Sequence, residues 1–484
     1  MYFSDQNWLL TPAQTQSADR AYVAAGGDSW QLMRNAAGVV TGYILNTLPC
    51  RPLHVLCGPG NNGADGLVVA AMLREIGWPV SVSRLAALPS SGDGEKAVAL
   101  WGDEVPLADP QNPGAATYYL DALFGAGLNR DLDGAAATLV RAINDSGRTV
   151  ISIDMPSGID GADGAIRGAA IRAHHTVSFF RAKPGHWLMP GRDACGQLHI
   201  GQIGLTPIHV SETIRTALND PLIWREALPG LDVRHKYERG RLWIAGGAEM
   251  TGAASLAASA AMRAGAGLVG IAVPTKAADI YRGRERALVV SEADSLDRFA
   301  SLLVEKKPDA IVIGPGLGLD ADSKDKVGAV LSHGVPAVID ADALTGFADD
   351  PDALFRQLSA HHVLTPHEGE FARLFPDMTG SRIDRARDAA ERAGAIIILK
   401  GRDTVIAQPD RSVLINNNAP TSLAVAGSGD VLAGIIGALL ARGMSADKAA
   451  PAAVWLHGAA GKLVENGAIA DDLPGCVGRV LAQL

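Results

Sequence analysis

The sequence predicts an α/β protein of two domains, each a largely parallel sheet covered by helices. Three observations carry this. The 484 residues exceed the span of one ordinary hydrophobic core. Short apolar runs alternate with helical stretches, as βα units require, and the alternation restarts partway along the chain. Between the two series, Pro207 to Pro229 mixes Pro, Trp and charge without a period. The boundary is therefore placed near residue 220, with domains over 1–215 and 222–484.

The elements follow in order. Thr11 caps a first helix, Pro12 suits its first turn, and Gly26-Gly27 ends it. Leu53 to Cys57 reads as a strand, Leu67 to Ile76 as a helix, and Tyr118 to Phe124 and Thr149 to Ile153 as strands. In the second half, Arg241 to Ala245, Leu268 to Val273, Ala310 to Ile313, Pro336 to Ile339 and Ala395 to Leu399 read as strands. Gly252 to Arg263 is an Ala-rich helix, and Val431 to Arg442 the last strong one.

Composition limits the function classes. Hydrophobic residues make up 48% and charged residues 20%, as in folded globular chains. A net charge of −9 argues against a broad nucleic-acid surface. The 4 cysteines have neither CxxC spacing nor a Cys/His cluster, so no zinc site or disulfide scaffold is expected. No apolar run reaches the ~20 residues that span a bilayer. The stretch MYFSDQNWLLTPAQTQ lacks a basic start and a long apolar run. A cytoplasmic enzyme without membrane contact is expected.

The strongest motif of the first half is GPGNNGADG, Gly58 to Gly66, between a strand and a helix. Backbone N–H groups favour anions there. Its GxGxxG spacing alone is weak, because it recurs at Gly265, Gly267 and Gly270 in the wrong context. A dinucleotide site would also want an acid about 20 residues on, where this chain offers Arg84. What distinguishes the loop is Asn61, Asn62 and Asp65 among glycines, although Asn and Asp also stabilise turns by themselves. DALFGAGLNRD, Asp121 to Asp131, and IDMPSGID, Ile153 to Asp160, carry similar chemistry at two further strand ends. In an open parallel sheet such ends share one crevice. Asn62, Asp121, Asp154 and Ser157 could converge there, and their oxygens suit a hard cation.

In the second half, AGSGDVLAG, Ala426 to Gly434, exposes the backbone of Gly427 and Gly429 at a helix mouth. That forms an anion hole for a phosphoryl group. Asp430 stands where a base could take a proton from an attacking hydroxyl. No GxxxxGK[ST] occurs, so this is not a Walker A loop. GPGLG, Gly314 to Gly318, follows the strand AIVI. LTPHEGE, Leu364 to Glu370, places His367 just beyond another strand. KGRDT, Lys400 to Thr404, can present a cation and a hydroxyl to a nucleotide phosphate. Ala254 lies in a helix of small residues.

The three motifs of the first half together resemble the epimerase domain of the NAD(P)H-hydrate repair family over roughly residues 1 to 215. The resemblance implies a Rossmann-like three-layer α/β/α domain. It implies hydrate contacts at Asn61, Asn62, Gly63, Ala64 and Asp65, and at Gly125, Ala126, Gly127, Leu128, Asn129, Arg130 and Asp131. It implies a K+ site at Asn62, Asp121 and Ser157, with Asp154 as substrate ligand and acid/base. Two positions depart from the family pattern: Ala64 replaces a glycine and Arg34 an acidic residue.

From about residue 222 the motifs, with HKYERG at His235 to Gly240, resemble the ADP-dependent dehydratase of the same family. That implies a ribokinase-like fold and substrate contacts at Ala254, His367, Asp430 and a glycine of GPGLG, either Gly316 or Gly318. It implies nucleotide contacts at Lys400, Gly401, Arg402, Asp403, Thr404 and Gly429. ADP as co-substrate, Mg2+ with the nucleotide and a homo-oligomer are expected. Ala419-Pro420 and Leu423-Ala424 depart from the pattern and leave nucleotide contacts in that stretch open.

Hydrated NAD(P)H carries a hydroxyl at C6 of the reduced ring, and hydroxide leaves poorly. Phosphorylation at that oxygen would let phosphate leave, with Asp430 as base. A site of this kind would accept one C6 epimer, the S form by resemblance, and an epimerase in the same chain would supply it. A small-molecule kinase fused to a nucleotide-binding domain is the alternative enzyme. A non-catalytic ligand sensor in the first half is the alternative binding module.

Overall fold

The computed structural model describes residues 4–230, 235–464 and 467–484. Met1, Tyr2 and Phe3 of the N-terminal stretch read for a leader lie outside the described residues. No helix among the described residues is long and apolar enough to cross a membrane. The chain divides into two compact units, one of Asp5–Thr216 and one holding Ala217–Leu484.

The first unit carries six strands: β1 Leu53–Cys57, β2 Val80–Arg84, β3 Tyr118–Ala122, β4 Thr149–Ile153, β5 His175–Phe179 and β6 Gln197–Gly201. They pair in the order β2-β1-β3-β4-β5-β6, parallel throughout. One core packs Val55, Cys57, Leu120, Ile151 and Val177 under the helices Ser29–Thr47 and Asn61–Glu75. On the other face Leu56, Tyr119 and Val150 pack against Leu139, Val140 and Ile143 of Gly134–Asp145. This is the expected three-layer α/β/α architecture. The chain leaves β1 toward β2 on one side and later places β3 on the other. The carboxyl ends of β1 and β3 thus form a topological switch point, where such sheets bind ligands.

The second unit holds β7 Thr216–Leu218, β8 Arg241–Ala245, β9 Leu268–Val273, β10 Val289–Glu292, β11 Ala310–Ile313, β12 Ala337–Ile339, β13 His362–Leu364, β14 Ile396–Leu399, β15 Val405–Ala407 and β16 Val413–Ile415. Their order is β10-β9-β8-β11-β12-β13-β14-β15-β16-β7. From β10 to β14 the pairing is parallel, and β15 joins both neighbours antiparallel. The switch point lies between β8 and β11. The helix Ser428–Ala441 crosses Thr251–Arg263 closely enough that a Cβ on Gly434 would lie 2.1 Å from the Ala257 carbonyl oxygen. Only glycine at 434 allows that approach.

The first helix has the expected form: Pro12–Ala24 begins with a capping box between Thr11 and Gln14. Elsewhere the boundaries shift. The sheet of the second unit begins at Thr216, ahead of 222, because three residues show no readable period. The helix after β1 starts at Asn61 rather than near Leu67, and the last strong helix at Ser428 rather than Val431. In both, the glycine motif runs from the residues just before the helix into its first turns. Gly427, at φ 91°, supplies the left-handed cap.

Candidate active sites

At the switch point of the first unit a cavity of about 1090 Å³ opens. Its wall includes Asn61, Asn62, Asp65, Gly125–Arg130, Asp154 and Lys183. Helical phase divides the first motif. Asn61, Asn62 and Asp65 reach the cavity, whereas Gly63 and Ala64 are buried and absent from its wall. A Cβ at Gly63 would sit 2.0 Å from the Gly58 carbonyl oxygen, so this glycine serves the turn. In the second motif Gly125, Ala126, Gly127, Leu128, Asn129 and Arg130 line the cavity, and Asp131 lies outside it.

Asp154 follows β4 with φ 65°, a left-handed conformation that costs a non-glycine residue energy and recurs at functional sites. Its Oδ1 accepts from Lys183 Nζ at 2.5 Å and Ser178 Oγ at 2.9 Å, and its Oδ2 from the Ala126 N–H at 3.0 Å. Burial alone would raise its pKa. The charge and hydrogen bond of the Lys183 ammonium, with the Ala126 N–H, together outweigh that and hold the carboxyl at about 2. His186 clips the arrangement from behind: Nδ1 accepts the Lys183 N–H and Nε2 donates to the Asp154 carbonyl. Burial, then Lys183, lowers this imidazole to about 4, so it is neutral. Asp154 is therefore a fixed anion at neutral pH.

Below the cavity wall, Asp121 is fully buried. It accepts from Ser157 Oγ at 2.5 Å, the Ser157 N–H and Ser152 Oγ at 2.8 Å each, and the Leu123 N–H at 3.2 Å. Burial outweighs these donors and raises its pKa. No ion pair offsets its charge among the described residues. Asn62 Nδ2 is also buried without a partner. Among the described residues no group of three or more His, Cys, Asp and Glu side chains could hold a metal ion.

In the second unit, β11, β12, β13 and β14 each end in one motif. Lys400, after β14, bonds Asp340, after β12, at 2.8 Å. The same ammonium lies 3.3 Å from where a Gly429 Cβ would stand. Lys400 is thus aimed at the helix mouth formed by Gly427, Ser428 and Gly429, where Asp430 occupies the first turn. Ser428 Oγ is 3.1 Å from Nε2 of the buried His457. Burial, then the Asp340 charge, pushes Asp430 up to about 7, with Lys400 opposing and Asp342 and Glu370 adding to the rise. Asp430 therefore has the proton affinity of a general base working near neutrality.

The other predicted residues fall at different depths. His367 caps the helix Glu368–Leu374, its Nδ1 accepting the Gly369 and Glu370 N–H groups. Its proton is thereby assigned to Nε2, on a half-exposed ring. Gly318 is exposed and its N–H donates to Asp342 Oδ2 at 2.8 Å. Gly316 is buried against Met250, where a Cβ would lie 2.3 Å from that carbonyl oxygen. Ala254 is fully buried and presents no open surface; it is a packing position of its helix. In KGRDT, Thr404 Oγ1 donates to the Gly401 carbonyl and accepts the Gly401 N–H, so it closes the turn. Asp403 is buried, 3.6 Å from Arg382, and Arg402 is exposed.

Sequence reasoning missed Lys183, Ser178 and His186 in the first unit and Asp340, Asp342 and Glu370 in the second. The signal was present: Asp340-Ala341-Asp342 directly follows the predicted strand ending at Ile339. Ala341 between them has φ 47° and ψ −117°, a strained conformation that aims the two acids differently.

Comparison with known proteins agrees with this division. Residues 29–185 match the family described as YjeF-related protein N-terminus, and residues 242–479 the family described as NAD(P)H-hydrate dehydratase. A solved Bacillus subtilis structure titled ADP/ATP-dependent NAD(P)H-hydrate dehydratase, co-crystallized with ATP/Mg2+, is 29% identical over 55% of this chain and 98% of its own, with a TM-score of 0.48. Several relatives carry the name bifunctional NAD(P)H-hydrate repair enzyme Nnr. That of Thermofilum pendens is 33% identical over 92% of this chain and 90% of its own length. That of Moorella thermoacetica is 37% identical over 85% and 83%, and that of Escherichia coli 33% over 88% and 84%. At this identity, sustained over nearly the whole of each chain, the protein belongs to the family of bifunctional NAD(P)H-hydrate repair enzymes.

Proposed function

We propose that the first unit epimerises R and S hydrates of NADH and NADPH, and that the second dehydrates the S form with ADP, giving NAD(P)H, AMP and phosphate. The observation that carries this reading is the meeting of Asp430, Lys400 and the Gly427–Gly429 turn in a chain of this family. Asp430 takes the proton of the C6 hydroxyl, and that oxygen accepts the phosphoryl group of the nucleotide. Lys400 and the helix mouth stabilise the charge in transfer. The lone pair of the ring nitrogen then expels phosphate as N1=C6 forms, and loss of the C5 proton returns that pair to nitrogen and makes the C5–C6 double bond, which restores the diene. His367 Nε2–H and Gly318 face the substrate side, and the KGRDT turn faces the nucleotide, which binds with Mg2+. The test is direct. The protein is mixed with both hydrate epimers and ADP, ATP or neither, and dihydronicotinamide absorbance is followed. Full recovery from both epimers with a nucleotide supports the reading. A stable phosphorylated product without recovered NAD(P)H refutes it.

The state of Asp430 fixes the pH dependence. A base must be ionised, so kcat/KM for dehydration should fall with unit slope as pH drops below about 7. Asp340→Asn removes the repelling charge and frees Lys400 to act on Asp430. Both changes lower its pKa, so the acid limb should move to lower pH. A pH–rate series on the two proteins checks this, and an unmoved limb rejects Asp430 as its source.

Asp121 and Asn62 fit K+. A buried carboxylate without an ionic partner calls for a cation, and the hydroxyl of Ser157 adds a neutral oxygen. Turning over the Asn62 amide exchanges its orphaned Nδ2 for an oxygen. Bound there, K+ would neutralise the charge beneath the cavity and fix the Asn62 side chain toward the hydrate. Asp121→Asn should weaken activation of epimerisation by K+ on the order of 10–100-fold. Titrating KCl against tetramethylammonium chloride at constant ionic strength measures it, and an unchanged K+ response rejects the site.

A further inference from the structure

The cavity of the first unit gathers carboxyls around one buried cation, its two arginines, Arg20 and Arg130, being exposed. Asp19, Asp65 and Asp154 all line it with Lys183. The Lys183 ammonium is committed to Asp154 and Ser178. Asp65, by contrast, accepts no hydrogen bond from any described residue, although it shares the helix Asn61–Glu75 with Asn62 and stands on the same face one turn later. Burial, then the charges of Asp154 and Asp19, push its carboxyl well above the usual range. Asp19 also rises through burial, but Lys183 pulls it back, and it sits on Pro12–Ala24 rather than at the strand ends. One cavity thus contains a carboxyl whose protonated form burial favours and another held as an anion by Lys183. Such a split between neighbouring acids divides the roles of donor and anion.

We propose that Asp65, not Asp154, is the proton donor and acceptor of the epimerase reaction, acting on the C6 hydroxyl of the bound hydrate. This rests on the reading of the first unit as the epimerase. The Asp65 proton passes to the hydroxyl as the C6–O bond breaks, and the oxygen leaves with the bonding pair as water. The lone pair of N1 forms the N1=C6 bond, so the ring gains one positive charge as Asp65 gains one negative charge. Asp154, held anionic by Lys183, lies beside the cation. Water then adds to the opposite face of C6, the N1=C6 pair returns to nitrogen, and the surplus proton returns to Asp65. No oxidant, reductant or further reactant enters.

The experiment uses the full chain, pure R-NADH hydrate and water enriched in oxygen-18, with an enzyme-free control. The wild-type protein should incorporate label into the C6 hydroxyl in step with appearance of the S epimer. Asp65→Asn should lower kcat for epimerisation by about 100-fold or more while KM changes little, and Asp65→Glu should recover part of the rate. Asp19→Asn should cost far less than Asp65→Asn. Should Asp65→Asn melt before assay, the labelling of the wild type and the rate of Asp65→Glu still decide. Epimerisation without label, near-normal turnover of Asp65→Asn, or a larger loss in Asp19→Asn overturns the Asp65 step and leaves the epimerase assignment standing. No epimerisation above the enzyme-free rate defeats the assignment itself.

Discussion

Asp430→Asn should abolish recovery of NAD(P)H from the S hydrate, with kcat reduced by about 10²–10⁴-fold, while nucleotide binding persists. Asparagine keeps the shape and removes the base. The Asp430 carboxyl accepts no hydrogen bond from the described residues, so the exchange breaks none. Its pKa of about 7, against 3.8 for a free group, gives the stability effect a sign. The folded state disfavours the anion, so ionised Asp430 weakens the fold increasingly as pH rises above 3.8, and the full penalty is present above about 7. The variant should therefore melt no lower than wild type at pH 8. Lys400, Gly427 and Gly429 remain, and one negative charge is lost beside the phosphates. ADP affinity should hold or tighten, as calorimetry can measure. Turnover within ten-fold of wild type would remove Asp430 from the mechanism, and loss of ADP binding would make it a nucleotide-site residue instead.

What the sequence made legible was backbone. Glycines at 58, 63 and 427 mark the entry to a helix where a side chain has no room, and such constraints stand in the chain as local spacing. A sheet covered on both faces followed from alternation, and a shared crevice from the motifs at the strand ends, whereas the strand order that makes the switch point came only with the structure. Orientation was less accessible. Asn61 to Asp65 read as one loop, yet a helix of 3.6 residues per turn sends Gly63 and Ala64 inward and Asn62 and Asp65 outward. Pairing across distance was not legible at all. Lys400 and Asp340 lie 60 positions apart, and Lys183 and Asp154 lie 29 apart across two strands. Each is one charged residue after a short strand, with no repeated spacing around it. Only the register of the sheet brings them together, and with them the charges that set Asp154 near 2 and Asp430 near 7.

The Lys183–Asp154 pair is where removal of one side chain should do most damage to the first unit. The Lys183 side chain is 2% exposed and that of Asp154 20%, so neither charge has much access to water. The Asp154 pKa falls from 3.8 to about 2, a difference of about 2 kcal/mol in favour of the folded anion. Because the folded value lies below the unfolded one, this contribution is complete above the unfolded value and is lost as pH falls through about 2. Lys183→Met removes the compensating cation and leaves burial to act alone on a carboxylate that also carries backbone strain. Breaking a buried pair from one side costs about 3–5 kcal/mol, which for a domain of this size lowers its melting temperature by roughly 10 °C. The Asp154 pKa should then rise, and epimerisation should fall with it. Adding Asp154→Asn to Lys183→Met removes the stranded charge, so the double variant should regain much of the stability and none of the epimerase rate. Thermal melts of the four proteins of this cycle, with the R-to-S rate measured on each, separate the two roles. A Lys183→Met protein that melts and epimerises like wild type would mean that Asp154 is held by Ser178 and the Ala126 N–H alone.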